Sequence, residues 1–97
     1  MDKKPALPNI DLIKELHSFP TMFTFKVIGD HHDEFVSDVL NRTTGAIGAS
    51  RKIEHSMRLS SGGNHSAISL SVHCSTAEEV LVVYSELLKV SGLRALF

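Results

Sequence analysis

Two histidines and three carboxylates follow one glycine in Gly-Asp-His-His-Asp-Glu-Phe, residues 29–35. Imidazole and carboxylate groups ligate transition metals, and imidazole also moves protons near neutral pH. The spacing argues against a metal. Adjacent helical residues point about 100° apart, and the positions four beyond His31 and His32 hold Phe35 and Val36 rather than further ligands. The composition is instead that of a helix start. Asp30 stands at the N-cap and Asp33 at the third helical position, with Glu34 beside it. All three put negative charge at the positive end of the helix dipole. A binding role stands beside this structural one, because free backbone N–H groups at a helix start attract anions. Gly29 allows close backbone approach at that point. Gly29, Asp30, His31 and His32 are therefore the candidate ligand site.

The other reactive side chains read as structural. Cys74 follows His73, but neighbours on a strand point to opposite faces, so they form no thiol–imidazole dyad. Cys74 shares parity with Leu70 and Val72, which makes it a core thiol. His55 lies on the inward side of an edge strand, where packing explains it better than ligation. The chain has six histidines, yet no pair has the spacing of a strong metal motif. It also lacks a Gly-x-Ser-x-Gly elbow, a P-loop and a Cys-x-x-Cys pair. No catalytic residue, metal or cofactor is expected, and the chain does not read as an enzyme.

These residues sit in a chain of 97, with 42% hydrophobic and 22% charged residues and a net charge of −1. That length suits one domain with one small core. The near-zero charge gives no bulk attraction to nucleic acid or to an anionic membrane. A single cysteine excludes an internal disulfide and suits a reducing compartment. No secretory segment or apolar run of about 20 residues occurs, so the expected location is the cytoplasm.

The elements follow from periodicity. "MDKKPALPN" reads as a loose arm, followed by a short helix from Ile10 to His17 capped by Asn9. "MFTFKVIG" (22–29) alternates as a strand. Residues 31–42 place Phe35, Val36, Val39 and Leu40 on one helical face, and "TTGAIGAS" breaks that helix. Next comes a hairpin turning on a two-residue Gly62-Gly63 loop. Its register sets Ile53 opposite Val72, His55 opposite Leu70 and Met57 opposite Ile68, with every apolar residue on one side. Ser75 and Glu78 form a capping box. A stripe of Ala77, Val80, Val83, Tyr84, Leu87 and Leu88 marks the next helix, Gly92 ends it, and "LRALF" is the last strand.

The order strand–helix–strand–strand–helix–strand specifies an α+β, ferredoxin-like βαββαβ fold. The expected antiparallel sheet has strand order 4-1-3-2, with both helices on one face and a short N-terminal helix added. The expected division is an arm with that helix over residues 1–18 and the domain over 19–97. Phe23, Phe25, Val27, Ile53, Met57, Ile68, Leu70, Val72 and Cys74 should point toward the helices.

"FPTMFTFKVIG" (19–29), "SSGGN" (60–64) and "EEVLVVYSELLKVSGLRALF" (78–97) resemble the YbeD-like family of small bacterial proteins. His65 departs from the aromatic residue expected after Gly-Asn, and the N-terminal arm is longer than in compact members. The resemblance implies a fold similar to ACT-type regulatory domains and a regulatory or adaptor role, with no catalytic motif to carry over. In ACT-type domains the turn after the first strand helps to hold amino-acid effectors, so the resemblance makes Gly29–His32 the leading site.

The same topology serves in RNA-recognition domains, which stack bases on aromatics of the two central strands. Here the corresponding face carries Thr24, Lys26, Ile28, Ala67, Ser69, Ser71 and His73, none with an aromatic ring of that kind. Arg51, Lys52 and Arg58 form a local basic patch, explained by a solvated strand edge. Sequence-specific nucleic-acid binding and membrane association are not expected. Two roles remain. One is a regulatory or adaptor module that engages another protein, or itself, through its sheet face or edge strand. The other is a sensor of an amino acid or anion at Gly29–His32.

Overall fold

The computed structural model of the protein describes residues 8–32 and 34–97. Seven elements follow in order: α1 (Ile10–Leu16), β1 (Thr21–Asp30), α2 (Phe35–Ile47), β2 (Ile53–Leu59), β3 (His65–Cys74), α3 (Ala77–Leu87) and β4 (Leu93–Leu96). The strands form one antiparallel sheet in the order β2-β3-β1-β4, the ferredoxin-like arrangement that the element order specifies. The loose arm expected at the N-terminus falls mostly on residues 1–7, outside the described residues. The helix after it forms as expected, with the Asn9 side chain accepting from the amides of Asp11 and Leu12.

Alternation along the central strands divides the sheet into two faces. Phe25 and Val27 of β1, with Ile68, Leu70, Val72 and Cys74 of β3, are wholly buried. They join Phe35 and Val39 of α2, and Val80, Val83 and Leu87 of α3, in one apolar cluster. The rings of Phe25 and Tyr84 meet within it, with centroids 4.9 Å apart, and the half-buried Phe23 packs against both from its margin. Ile13 of α1 also reaches this cluster, and Lys14 pairs with Glu78 at 3.1 Å.

Five local expectations require correction. The residue expected to cap α2, Asp30, belongs to the sheet, and His31 and His32 lie in the connection after it. Asp30 ends β1, with its amide bonded to the Gly92 carbonyl, and the His31 amide bonds the Asn64 carbonyl. Asp30 is therefore not a helix cap. The helix starts at Phe35, behind Glu34, which makes no side-chain capping bond. Asp33, the other expected cap residue, lies outside the described residues.

The same helix does not stop at Thr43. It continues to Ile47 because Thr43 is buried, with its hydroxyl on the Val39 carbonyl at 2.8 Å, and Ala46 and Ile47 pack on the core. Here packing overrides the weak propensity of Thr-Thr-Gly.

The hairpin register is as expected at every pair, but the loop is wider than Gly62-Gly63. The Ser60 amide bonds the His65 carbonyl, and the Gly63 amide bonds the Ser60 carbonyl. Positive φ falls on Gly63, at 73°, rather than on Gly62.

The cap of α3 lies one residue later than Ser75. Thr76 accepts from the Glu79 amide, while the Glu79 carboxylate accepts from the Ser75 amide. The helix ends at Leu87, before Gly92, whose φ of 80° serves the turn into β4.

The last correction concerns β2, whose inward side is largely uncovered. Met57 and Leu59 are 44% and 45% exposed, and His55 is exposed too, since β2 is the sheet edge.

Candidate functional site

The strand β1 delivers Gly29–His32 to one end of the sheet, where β3 and β4 flank it. Gly29 has a packing reason to be glycine. A Cβ there would stand 2.3 Å from Cε1 of Phe35 and 3.0 Å from the Gly92 carbonyl oxygen. The ring of Phe35, not a ligand, occupies the space that the missing side chain leaves.

Asp30 accepts from Arg94 Nε at 2.8 Å and lies 4.0 Å from His65 Nε2. The Arg94 hydrogen bond holds the Asp30 carboxyl below its ordinary value. Arg94 reaches this position through an irregularity in the ladder. Ile28 pairs with Ala95 but Gly29 pairs with Leu93, which leaves Arg94 as the extra residue of a bulge. Such bulges re-aim a side chain.

His31 and His32 diverge. His31 Nδ1 lies 2.9 Å from the hydroxyl of buried Ser66, whereas His32 Nε2 lies 3.5 Å from the Ser91 carbonyl and its ring stands edge-on to Phe35. The four sequence-derived residues therefore occupy one neighbourhood but do not converge on one point. Among the described residues, no three His, Cys, Asp or Glu side chains are grouped to hold a metal.

The open side of the sheet carries a second feature that the sequence reading did not assemble. A cavity of about 400 Å³ lies where Ile28 and Ala67 meet across β1 and β3, with Arg58, His65 and Arg94 on its sides. A smaller hollow of about 200 Å³ adjoins it and shares Arg58 and Ala67, with Lys26 on its far side. Met22 and Phe97 add apolar surface to this side. Phe97 exchanges two backbone hydrogen bonds with Lys26 and is 66% exposed. Arg58 was visible in the sequence as part of a basic patch. Its company with Arg94 and His65 was not, because a bulge and a cross-strand register create it.

At the other end of the sheet, Arg51 clamps Glu79 with two bonds of 2.8 and 2.6 Å. This pairing holds the Glu79 carboxyl down at about 2. Arg51 also donates to the His73 carbonyl, so the pair ties the β2 entry to the start of α3. Cys74 behind it is buried, and burial pushes its thiol up to about 11. A thiol so placed is not a nucleophile near neutral pH. No helix among the described residues is long and apolar enough to cross a membrane.

Comparison with known proteins agrees with this architecture. Residues 14–96 match the family described as "Protein of unknown function (DUF493)". A UPF0250 protein of Haemophilus ducreyi is 32% identical over 82 residues, which is 84% of this chain and 82% of the relative. The UPF0250 protein YbeD of Escherichia coli is also 32% identical over 82 residues, covering 84% of this chain and 92% of its own. Among solved structures, the ACT domain from GTP pyrophosphokinase of Chlorobium tepidum superposes with a TM-score of 0.53 at 18% identity. It spans 79% of this chain and 97% of that domain, a likeness of fold. The YbeD-like sequence signature, the matched family model and these relatives together establish that the chain belongs to the UPF0250 (DUF493) family and carries an ACT-like fold.

Proposed function

We propose that this protein is a non-catalytic regulatory or adaptor module that engages another protein through its open sheet face or the β2 edge. The observation that carries this reading is the contrast across the sheet. One face is packed under three helices across β1 and β3, while the other presents Lys26, Arg58, Ile28, Met22 and Phe97 with no element over them among the described residues. The fold is that of an ACT domain which, in its solved relative, is part of GTP pyrophosphokinase, a precedent for such a module serving another protein. The non-catalytic reading rests on the buried, hard-to-ionise Cys74 and on histidines already engaged with Ser66 and Ser91. A lone thiol without a disulfide suits action in the cytoplasm.

The alternative, an amino acid or anion held at Gly29–His32, has weaker support. Asp30 is committed to Arg94, and the space beside Gly29 is filled by Phe35.

Site-specific photocrosslinking in cells tests the proposal. A photoreactive residue at Ser69, on the open face, should give one discrete protein adduct, whereas one at Val82, exposed on α3, should not. Equal labelling from both positions, or none from Ser69, would overturn it.

A further inference from the structure

The two hollows on the open face have a charge pattern that specifies what part of a partner they receive. They share Ala67 and Arg58; Ile28 extends the apolar floor in the larger hollow, where Arg94 also stands, and Lys26 lines the smaller one. Arg94 is oriented by its bond to Asp30. Lys26 and Arg58 have no ion-pair partner among the described residues. The Arg58 guanidinium, beside an apolar floor and with its donors unspent, is matched by a carboxylate carried next to an apolar group.

Resting on the adaptor reading, we propose that this groove is the anchor site for an acidic segment of the partner protein. A Glu or Asp side chain is placed on Arg58, within reach of Lys26, and a neighbouring apolar side chain lies on Ile28 and Ala67. The groove runs across β1, β3 and β2, and two adjoining hollows of about 400 and 200 Å³ suit successive side chains of an extended peptide. The same cations favour encounter with an acidic partner and reject a basic one. Gly29–His32 is then the support of the site, since Asp30 holds Arg94 in place.

The probe is a blocked tripeptide, acetyl-Leu-Glu-Leu-amide, titrated into ¹⁵N-labelled protein beside its Gln counterpart and hexanoate. The Glu peptide should move the Ile28 and Ala67 amides saturably, with a Kd of about 1 mM for so short a fragment. The Gln peptide, and the Glu peptide on Arg58→Gln, should each bind about tenfold more weakly. Equal shifts with Glu and Gln peptides, or none with either, would overturn the proposal. Hexanoate moving these amides while the peptide does not would also overturn it, in favour of a pocket for free acids. Failure here is separable from failure of the adaptor reading. A Ser69 crosslink that persists in Arg58→Gln, with no peptide preference for Glu, removes the acidic anchor and leaves the adaptor. Loss of any Ser69 adduct in the unmodified protein removes the adaptor itself.

Discussion

The two faces of the sheet come from the same strands and differ by one position in register. Phe25 is fully buried while its neighbour Lys26 is exposed, and Ile68 is fully buried beside a half-buried Ala67. The covered face holds large interlocking side chains and almost no charge. The open face holds short polar residues, a shallow apolar floor and cations. In a domain this small the covered face has to supply most of the stability, which leaves the open face free of that role and, in the proposed reading, available to a partner. The two ends of the sheet show the same division. The Arg51–Glu79 clamp ties elements together, whereas Asp30 and Arg94 hold charge beside a cavity.

The largest effect should come from breaking the covered face. Phe25→Ala should cost about 3–5 kcal/mol, whereas Lys26→Ala, one residue away, should stay within about 0.5 kcal/mol of wild type. Urea unfolding of the pair checks this. Comparable losses would mean that the faces are not distinct in stability.

Next in size is Gly29→Ala. Its Cβ would collide with the Phe35 ring and press on the Gly92 carbonyl, an overpacking cost of about 1–3 kcal/mol. An unchanged melt would show that Phe35 does not occupy that space.

A smaller effect distinguishes the two capping assignments of α3. Thr76→Ala should cost about 1 kcal/mol, and Ser75→Ala should fall within about 0.5 kcal/mol of wild type. The reverse ranking in thermal melts would restore Ser75 as the cap.

The smallest effect is a slope in acid. Glu79 titrates at about 2 in the fold against an ordinary 4.5, so its folded value is depressed. The stabilisation from its pairing with Arg51 is present in full above pH 4.5 and is lost as pH falls toward 2. Partial exposure and salt screening keep it modest. Melting temperature against pH should therefore fall less steeply in this window for Glu79→Gln than for wild type. Parallel curves would mean that the clamp contributes nothing.

Much of the fold was legible because it rests on period-2 and period-3.6 patterns that local sequence carries directly. The β2–β3 register followed from sorting Ile53, Met57, Ile68 and Val72 to one side, and strand order followed from the element order. Errors arose where a distant element competes for a residue. Asp30 has the chemistry of a cap, yet the Gly92 carbonyl claims its amide for the sheet. Thr43 to Ile47 read as a breaker, yet the core pulls them into helix. Met57 has core parity but stands at an edge that the helices do not reach. The cavity was the least legible feature. Arg58, His65 and Arg94 are brought together by a hairpin, a ladder and a bulge, and only the hairpin is local enough to read from the chain.

The claim that the open face binds while the covered face stabilises is tested most directly by reversing charge on the open face alone. In Lys26→Glu/Arg58→Glu, the Ser69 photocrosslink should disappear while the melting temperature stays within about 4 °C of wild type, a shift worth no more than about 1 kcal/mol. An undiminished adduct in a variant that melts like wild type would contradict the account.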